Sequence, residues 1–247
     1  NNDLETIKHQ PRKTMKFTNI LAIGALLLVP AHAAEVLPPT AEQQKELKPK
    51  EVLTGLLDGN KRYVTGKLTP PNVVERIQAT TEGQYPKAYI LSCVDSRVPV
   101  ESVFDQGIGD LFVGRVAGNI ESVEQLGSIE FATKVAGAKL VMVLGHEACG
   151  AVKGACDHVE LGNLTTLLAE IKPAVDAVQG VEPAERNSKN KKFVEAVVEE
   201  NVRLTVDGLR KRSPVLAELE KNGSIMIVGA VYSLHDGAVT ILETPGS

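Results

Sequence analysis

The chain has 247 residues and a formal net charge of −4, with 23% charged and 4% aromatic residues. That mild acidity carries no basic cluster, which excludes nucleic acid or an anionic membrane surface as the main partner. The length suits one domain with a sizeable core, and three cysteines are too few, and odd in number, for a disulfide framework.

From Met15 the sequence reads Lys16, an apolar run from Ile20 to Val29, Pro30 and then Ala31-His32-Ala33. A basic start, a short apolar run and a small-x-small site predict a secretory signal peptide, with an upstream extension before Met15. The run is too short to span a bilayer. The reading places cleavage after Ala33, a single catalytic domain over 34–247 and a periplasmic location. The removed part holds Lys8, Arg12, Lys13 and Lys16 against Asp3 and Glu5, so the remainder is more acidic still, at −6.

Residues 34–67 predict a helical arm. Thr40 with Glu42 and Gln43 opens one helix, and Val52, Leu53, Leu56 and Leu57 have helical spacing in the next. Thr69-Pro70-Pro71 reads as a linker. Ala88–Ser92, between Pro86 and Pro99, has the short apolar form of a buried parallel strand. Residues 101–109 read as a loop, and 110–118 as a second strand whose Gly114 and Gly118 permit close backbone approach. Ser122 and Gln125 predict a capping box for a helix running to Val135 and stopped by Gly137. A third strand, 139–145, ends in His146-Glu147-Ala148-Cys149-Gly150, where a small-residue helix begins. Asn163 reads as the N-cap of an amphipathic helix through Leu168, Ile171 and Val175. After a polar loop over 179–190, Phe193 to Leu209 form a long helix face, and Leu216 and Leu219 a short one closed by Asn222-Gly223. Strands over 225–231 and 238–242 follow, joined by His235-Asp236-Gly237. Five strands alternating with helices predict an α/β fold with a mostly parallel central sheet flanked by helices and an N-terminal helical arm.

Two strand ends then carry the chemistry. Cys93 follows the first strand, and His146 and Cys149 follow the third, where open α/β sheets place ligand sites. Two thiolates and an imidazole are a zinc ligand set. Asp95 and Arg97, two apart, share one side of an extended segment, so the guanidinium can hold the carboxylate ionised and aimed. Paired in that way, Asp95 can accept a hydrogen bond from a hydroxide on the metal. Released, it can become a fourth ligand and close the site. The Gly150 N–H, at a helix start, can point at a bound anion, or the glycine can serve tight packing alone. Cys156 reads as a small buried hydrophobe, and His158 and His235 as surface or turn residues.

Cys93-x-Asp95-x-Arg97 followed by His146-x-x-Cys149-Gly150 resembles the β-class carbonic anhydrases, and the likeness covers most of the chain after the leader. It extends to Gln84, to Asp110-Leu111-Phe112-Val113-Gly114-Arg115 with Asn119 beyond, and to Tyr232 through Gly237. The resemblance implies reversible hydration of carbon dioxide to bicarbonate by one zinc per chain. It also implies an obligate homodimer, able to pair into a tetramer, with its active-site cleft at the dimer interface. Gln84 is then a hydrogen-bond donor to substrate and Phe112 an apolar wall near the zinc. Phe131 stands where many members have tyrosine, and Ile90 where members with an inhibitory bicarbonate site have tryptophan, although Arg115 and Tyr232 match the rest of that site. Two other readings share the scaffold: a carbonyl sulfide or carbon disulfide hydrolase, and a non-catalytic, zinc-stapled bicarbonate-binding protein with Asp95 kept on the metal.

Two thiolates cancel the charge of the zinc ion and make it a weaker Lewis acid than three histidines would. Carbon dioxide hydration followed by stopped flow should therefore climb from mildly acidic to alkaline pH. A rate flat across that range contradicts the expectation.

Overall fold

The apolar runs become one five-stranded sheet in the computed structural model, which describes residues 37–242. The leader, its cleavage after Ala33 and the boundary at residue 34 lie outside the described residues. β1 (Ala88–Ser92), β2 (Leu111–Arg115), β3 (Leu140–His146) and β4 (Met226–Tyr232) run parallel, and β5 (Val239–Leu242) is antiparallel to β4. The spatial order is β2-β1-β3-β4-β5. β1 and β3 are buried at every residue, as central parallel strands covered on both faces must be.

Helices form where the sequence supplies starts and stops. α1 (Ala41–Glu46) opens on a complete capping box between Thr40 and Gln43, and α2 (Pro49–Val64) has proline at its first position. α3 (Val73–Ala79) follows the Pro70-Pro71 linker, and α4 (Val100–Val103) is a single turn inside the stretch read as a loop. Neither is long enough to show a helical period. α5 (Val123–Glu130) continues into a wider π turn, Phe131–Val135. Its expected capping box is half made: Ser122 Oγ accepts from the Gln125 N–H, but the Gln125 side chain turns inward and accepts from the Tyr89 hydroxyl at 2.8 Å. α6 (Gly150–Cys156), α7 (Gly162–Ala177), α8 (Lys191–Arg212) and α9 (Pro214–Lys221) complete the set. Asn163 is not the cap of α7. Leu161 holds that place, its N–H donating to Thr165 Oγ1 at 2.8 Å, and Asn163 falls in the first turn. The polar loop before α8 contains one short turn, Pro183–Glu185.

Alternation along the strands feeds two cores. Tyr89, Leu91, Val141 and Val143 pack with Ile129, Val202, Val206, Leu209 and Leu216 of α5, α8 and α9. Ile90, Met142 and Leu144 meet Val52, Leu56, Val100 and Phe104 on the other face. A third cluster, at the carboxyl edge, joins Cys93 and Cys149 to α6, α7 and the start of α8. Polar groups inside these layers are matched. The Asn60 Nδ2 donates to the Val103 and Gly237 carbonyls while its Oδ1 accepts from the Val239 N–H. Buried Arg76 donates to Asp110 at 2.8 Å, which also receives the Gly107 N–H. Removing Asp110 would strand the buried Arg76 charge, a costly state, whereas Asp110 also has Lys87 at 3.6 Å. Among the described residues no helix is long and apolar enough to cross a membrane.

The two glycines of α2 predict opposite outcomes. A Cβ at buried Gly59 would stand 1.9 Å from the Phe104 carbonyl oxygen, whereas one at exposed Gly55 would meet nothing within 4 Å. In denaturant unfolding, Gly59→Ala should lose about 1–3 kcal/mol by overpacking, and Gly55→Ala should gain about 0.5–1 kcal/mol of helix stability.

Candidate metal centre

The strand order leaves β1 with β2 on one side and β3 on the other, so the chain switches winding direction between β1 and β3. Open α/β sheets open a crevice at the carboxyl ends of the strands there. Ser92 pairs with Leu144, so Cys93 and His146 leave the sheet at the same edge. Ala148 then takes φ 51, a left-handed turn that brings Cys149 round as the cap of α6.

The Cys93 and Cys149 sulfurs and a ring nitrogen of His146 lie within 4.8 Å of one another, all three residues buried. The sulfurs are 4.0 Å apart. A disulfide requires about 2 Å, while two sulfurs sharing a tetrahedral zinc stand about 3.8 Å apart. His146 Nδ1 donates to the Glu147 carbonyl at 2.9 Å, so Nε2 carries the lone pair; it is buried with no hydrogen-bond partner. A partnerless acceptor facing two thiols is a donor set that fits zinc. The Cys149 thiol, with the Gly118 N–H, favours thiolate at Cys93, and the bond between the two sulfurs together with burial holds the proton on Cys149. A cation entering the cluster displaces that proton.

Asp95 faces this group, its Oδ2 3.8 Å from His146 Nε2. Arg97 holds both carboxylate oxygens, through Nε at 2.9 Å and Nη2 at 2.7 Å, and adds its backbone N–H at 2.9 Å. These bonds set the carboxyl far below the usual carboxylate range. Arg115 donates to the carbonyls of Cys93 and Asp95 at 2.8 and 2.5 Å, fixing the segment between them.

Of the other expected site residues, Gly150 follows Cys149 directly, whereas Gln84 and Phe112 stand away from the cluster. Gln84 is exposed and precedes β1, at the end opposite Cys93. Phe112 pairs with Tyr89, four residues before Cys93, so about 13 Å of strand separates it from the cluster. Its ring meets Phe131 edge-on at 6.2 Å, in a hollow of about 690 Å³ along the exposed β2 edge. Gly150 is exposed, and a Cβ there would touch nothing within 4 Å, so packing within this chain does not require glycine. Ile90 is fully buried, and the Tyr232 hydroxyl lies 3.2 Å from that of Tyr63. Cys156 is a buried core thiol, pushed up to about 11 by burial, and His158 and His235 are exposed.

Two contributors carry no motif. The Glu147 carbonyl sets the tautomer of His146, and the Gly118 N–H donates to Cys93 Sγ at 3.4 Å. Both act through the backbone, which leaves no side-chain signature.

Comparison with known proteins adds relatives to this geometry. The family model described as carbonic anhydrase matches residues 88–239. Carbonic anhydrase 2 of Mycobacterium tuberculosis is 36% identical over 197 residues, spanning 78% of this chain and 92% of the relative. The carbonic anhydrase of Mycolicibacterium smegmatis is 38% identical over 189 residues, spanning 75% and 89%. Among solved structures, one from a study of two tetrameric β-carbonic anhydrases of Sordaria macrospora aligns with a TM-score of 0.60 at 23% identity, covering 78% of this chain and 97% of that one; this likeness is one of fold.

Elemental analysis of the purified chain should find one zinc per chain. Cys93→Ser, His146→Ala and Cys149→Ser should each lose it, while Cys156→Ser should keep it. Full zinc in any of the first three would exclude that residue as a ligand.

Proposed function

The chain belongs to the β-carbonic anhydrase family, and from that membership we propose how its residues divide the reversible hydration of carbon dioxide to bicarbonate and a proton. It is an enzyme, a carbonate dehydratase. One observation carries the assignment of roles: the buried Cys93–His146–Cys149 group, with His146 Nε2 partnerless and the Asp95–Arg97 pair beside it.

Cys93, His146 and Cys149 hold one zinc. When bound, zinc supplies the Lewis acid that makes a water nucleophilic at mild pH. Asp95, kept ionised and oriented by Arg97, accepts a hydrogen bond from the attacking water and turns its lone pair toward the carbon. With both Asp95 oxygens committed to Arg97, the carboxylate stays off the metal. The Gly150 N–H donates to a substrate oxygen, and the freed proton passes to buffer.

Gln84 and Phe112 serve the site of a second copy. Each lies toward the opposite end of its strand from Cys93, so neither serves the cluster of its own chain. The exposed β2 edge, with Val123, Phe131 and Val135 also exposed beside it in sequence, supports a homodimer formed along that side, able to pair into a tetramer. There Gln84 donates a hydrogen bond to substrate and Phe112 forms an apolar wall. The leader expected over 1–33 supports export to a periplasm.

Asp95→Asn should keep its zinc and lose about 10²-fold or more in kcat by stopped flow; a wild-type rate would remove Asp95 from the chemistry. Sedimentation should give at least twice the mass of one chain, and an active monomer would overturn the shared site.

A further inference from the structure

Asn201 sits in the middle of α8, on the face it buries with Val197, Val198 and Val202, and is 4% exposed. An asparagine inside a helix is disfavoured, and a buried amide is costly unless it is paired. This one is paired across 83 residues: its Nδ2 donates to the Gly118 carbonyl at 2.7 Å.

The Gly118 carbonyl belongs to the peptide that joins it to Asn119, and the N–H of that peptide donates to the Val116 carbonyl at 2.9 Å. Both ends of the plane are therefore held. Gly118 itself takes φ 75 and ψ 12, and a Cβ on it would stand 2.5 Å from Ile171 Cδ1. Glycine is the residue that enters such a turn freely, and it is also the one whose turn needs holding from outside. In the held conformation its own N–H meets Cys93 Sγ at 3.4 Å.

We propose that Asn201 is a positioning residue of the metal centre: by fixing the Gly118 turn it keeps an N–H on the Cys93 sulfur. This rests on Cys93 being a metal ligand. A hydrogen bond to a ligand thiolate draws charge from the sulfur and limits its donation to the cation, and such partners orient the ligand as well. In a site with two thiolates, that restraint keeps the metal more acidic than the donors alone would make it.

The test uses the full chain loaded with probe metals. In the wild type loaded with cadmium-113, the Gly118 amide proton should show scalar coupling to the metal through the sulfur; absence of coupling at Gly118 overturns the proposal. In the cobalt(II)-loaded chain, Asn201→Ala should move the thiolate-to-cobalt charge-transfer band to longer wavelength and raise the zinc dissociation constant about 10–100-fold. Asn201→Leu fills the space without the donor and should do the same, so either folded variant decides. An unmoved band with wild-type zinc affinity overturns the role of Asn201. Cys93→Ser separates the two readings. Loss there of the metal, or of half or more of the charge-transfer intensity, with Asn201→Ala unmoved, sinks only the positioning role. Full intensity in Cys93→Ser sinks Cys93 as a ligand and the proposal with it.

Discussion

The lateral pairing of β1 with β3 is the constraint on which the rest of the molecule depends. The two strands are joined by a long excursion through β2 and α5, yet their register sets Ser92 against Leu144 and so delivers Cys93 and His146 to one edge. A parallel pair has no tight turn to fix that register. The two apolar layers fix it instead: a slip of one residue would turn Ile90 and Leu91 to the wrong faces, and their partners in α2 and α8 with them. The packing that makes the fold stable is the same packing that makes the cluster possible.

Around the cluster, charge is arranged so that burial is tolerable. Two thiolates would balance a divalent cation, and Asp95 is balanced by Arg97. Bonds between side chains and backbone then hold the segments that carry the cluster. Arg115 ties down the carbonyls of Cys93 and Asp95, while Glu147 donates its N–H to the Tyr232 carbonyl and accepts the Leu234 N–H on its carboxylate. The edge of β3 is thereby fastened to the edge of β4, and His146 is held within that fastening.

Much of this was legible because strong local signals marked it. Short, mainly apolar runs bounded by glycines, prolines and turns located all five strands, and the ligand residues stand at or just beyond the ends of two of them. Short elements were not legible: α4 spans Val100–Val103, less than a period can reveal. Asn163 shows the limit of propensity, since cap and first turn are neighbours with similar residue preferences. The Arg76–Asp110 pair was hidden because charge in a sequence says nothing of depth. The Gly118 N–H was hidden because a backbone donor has no residue type. Gln84 and Phe112 are a different case: Gln84 precedes β1 and Phe112 lies near the start of β2, so neither neighbours the cluster of its own chain.

Ala148 has a consequence of another kind. A side-chain-bearing residue at φ 51 sits in a sparsely allowed region, at a cost of about 1–3 kcal/mol that surrounding structure must sustain. The residue stands between His146 and Cys149, so the fold maintains the bite of that chelate in advance. Much of the ordering that a cation would otherwise impose on those two donors is completed when the chain folds. The centre can therefore select a cation whose preferred angles match the turn, rather than reshaping itself around whichever ion arrives.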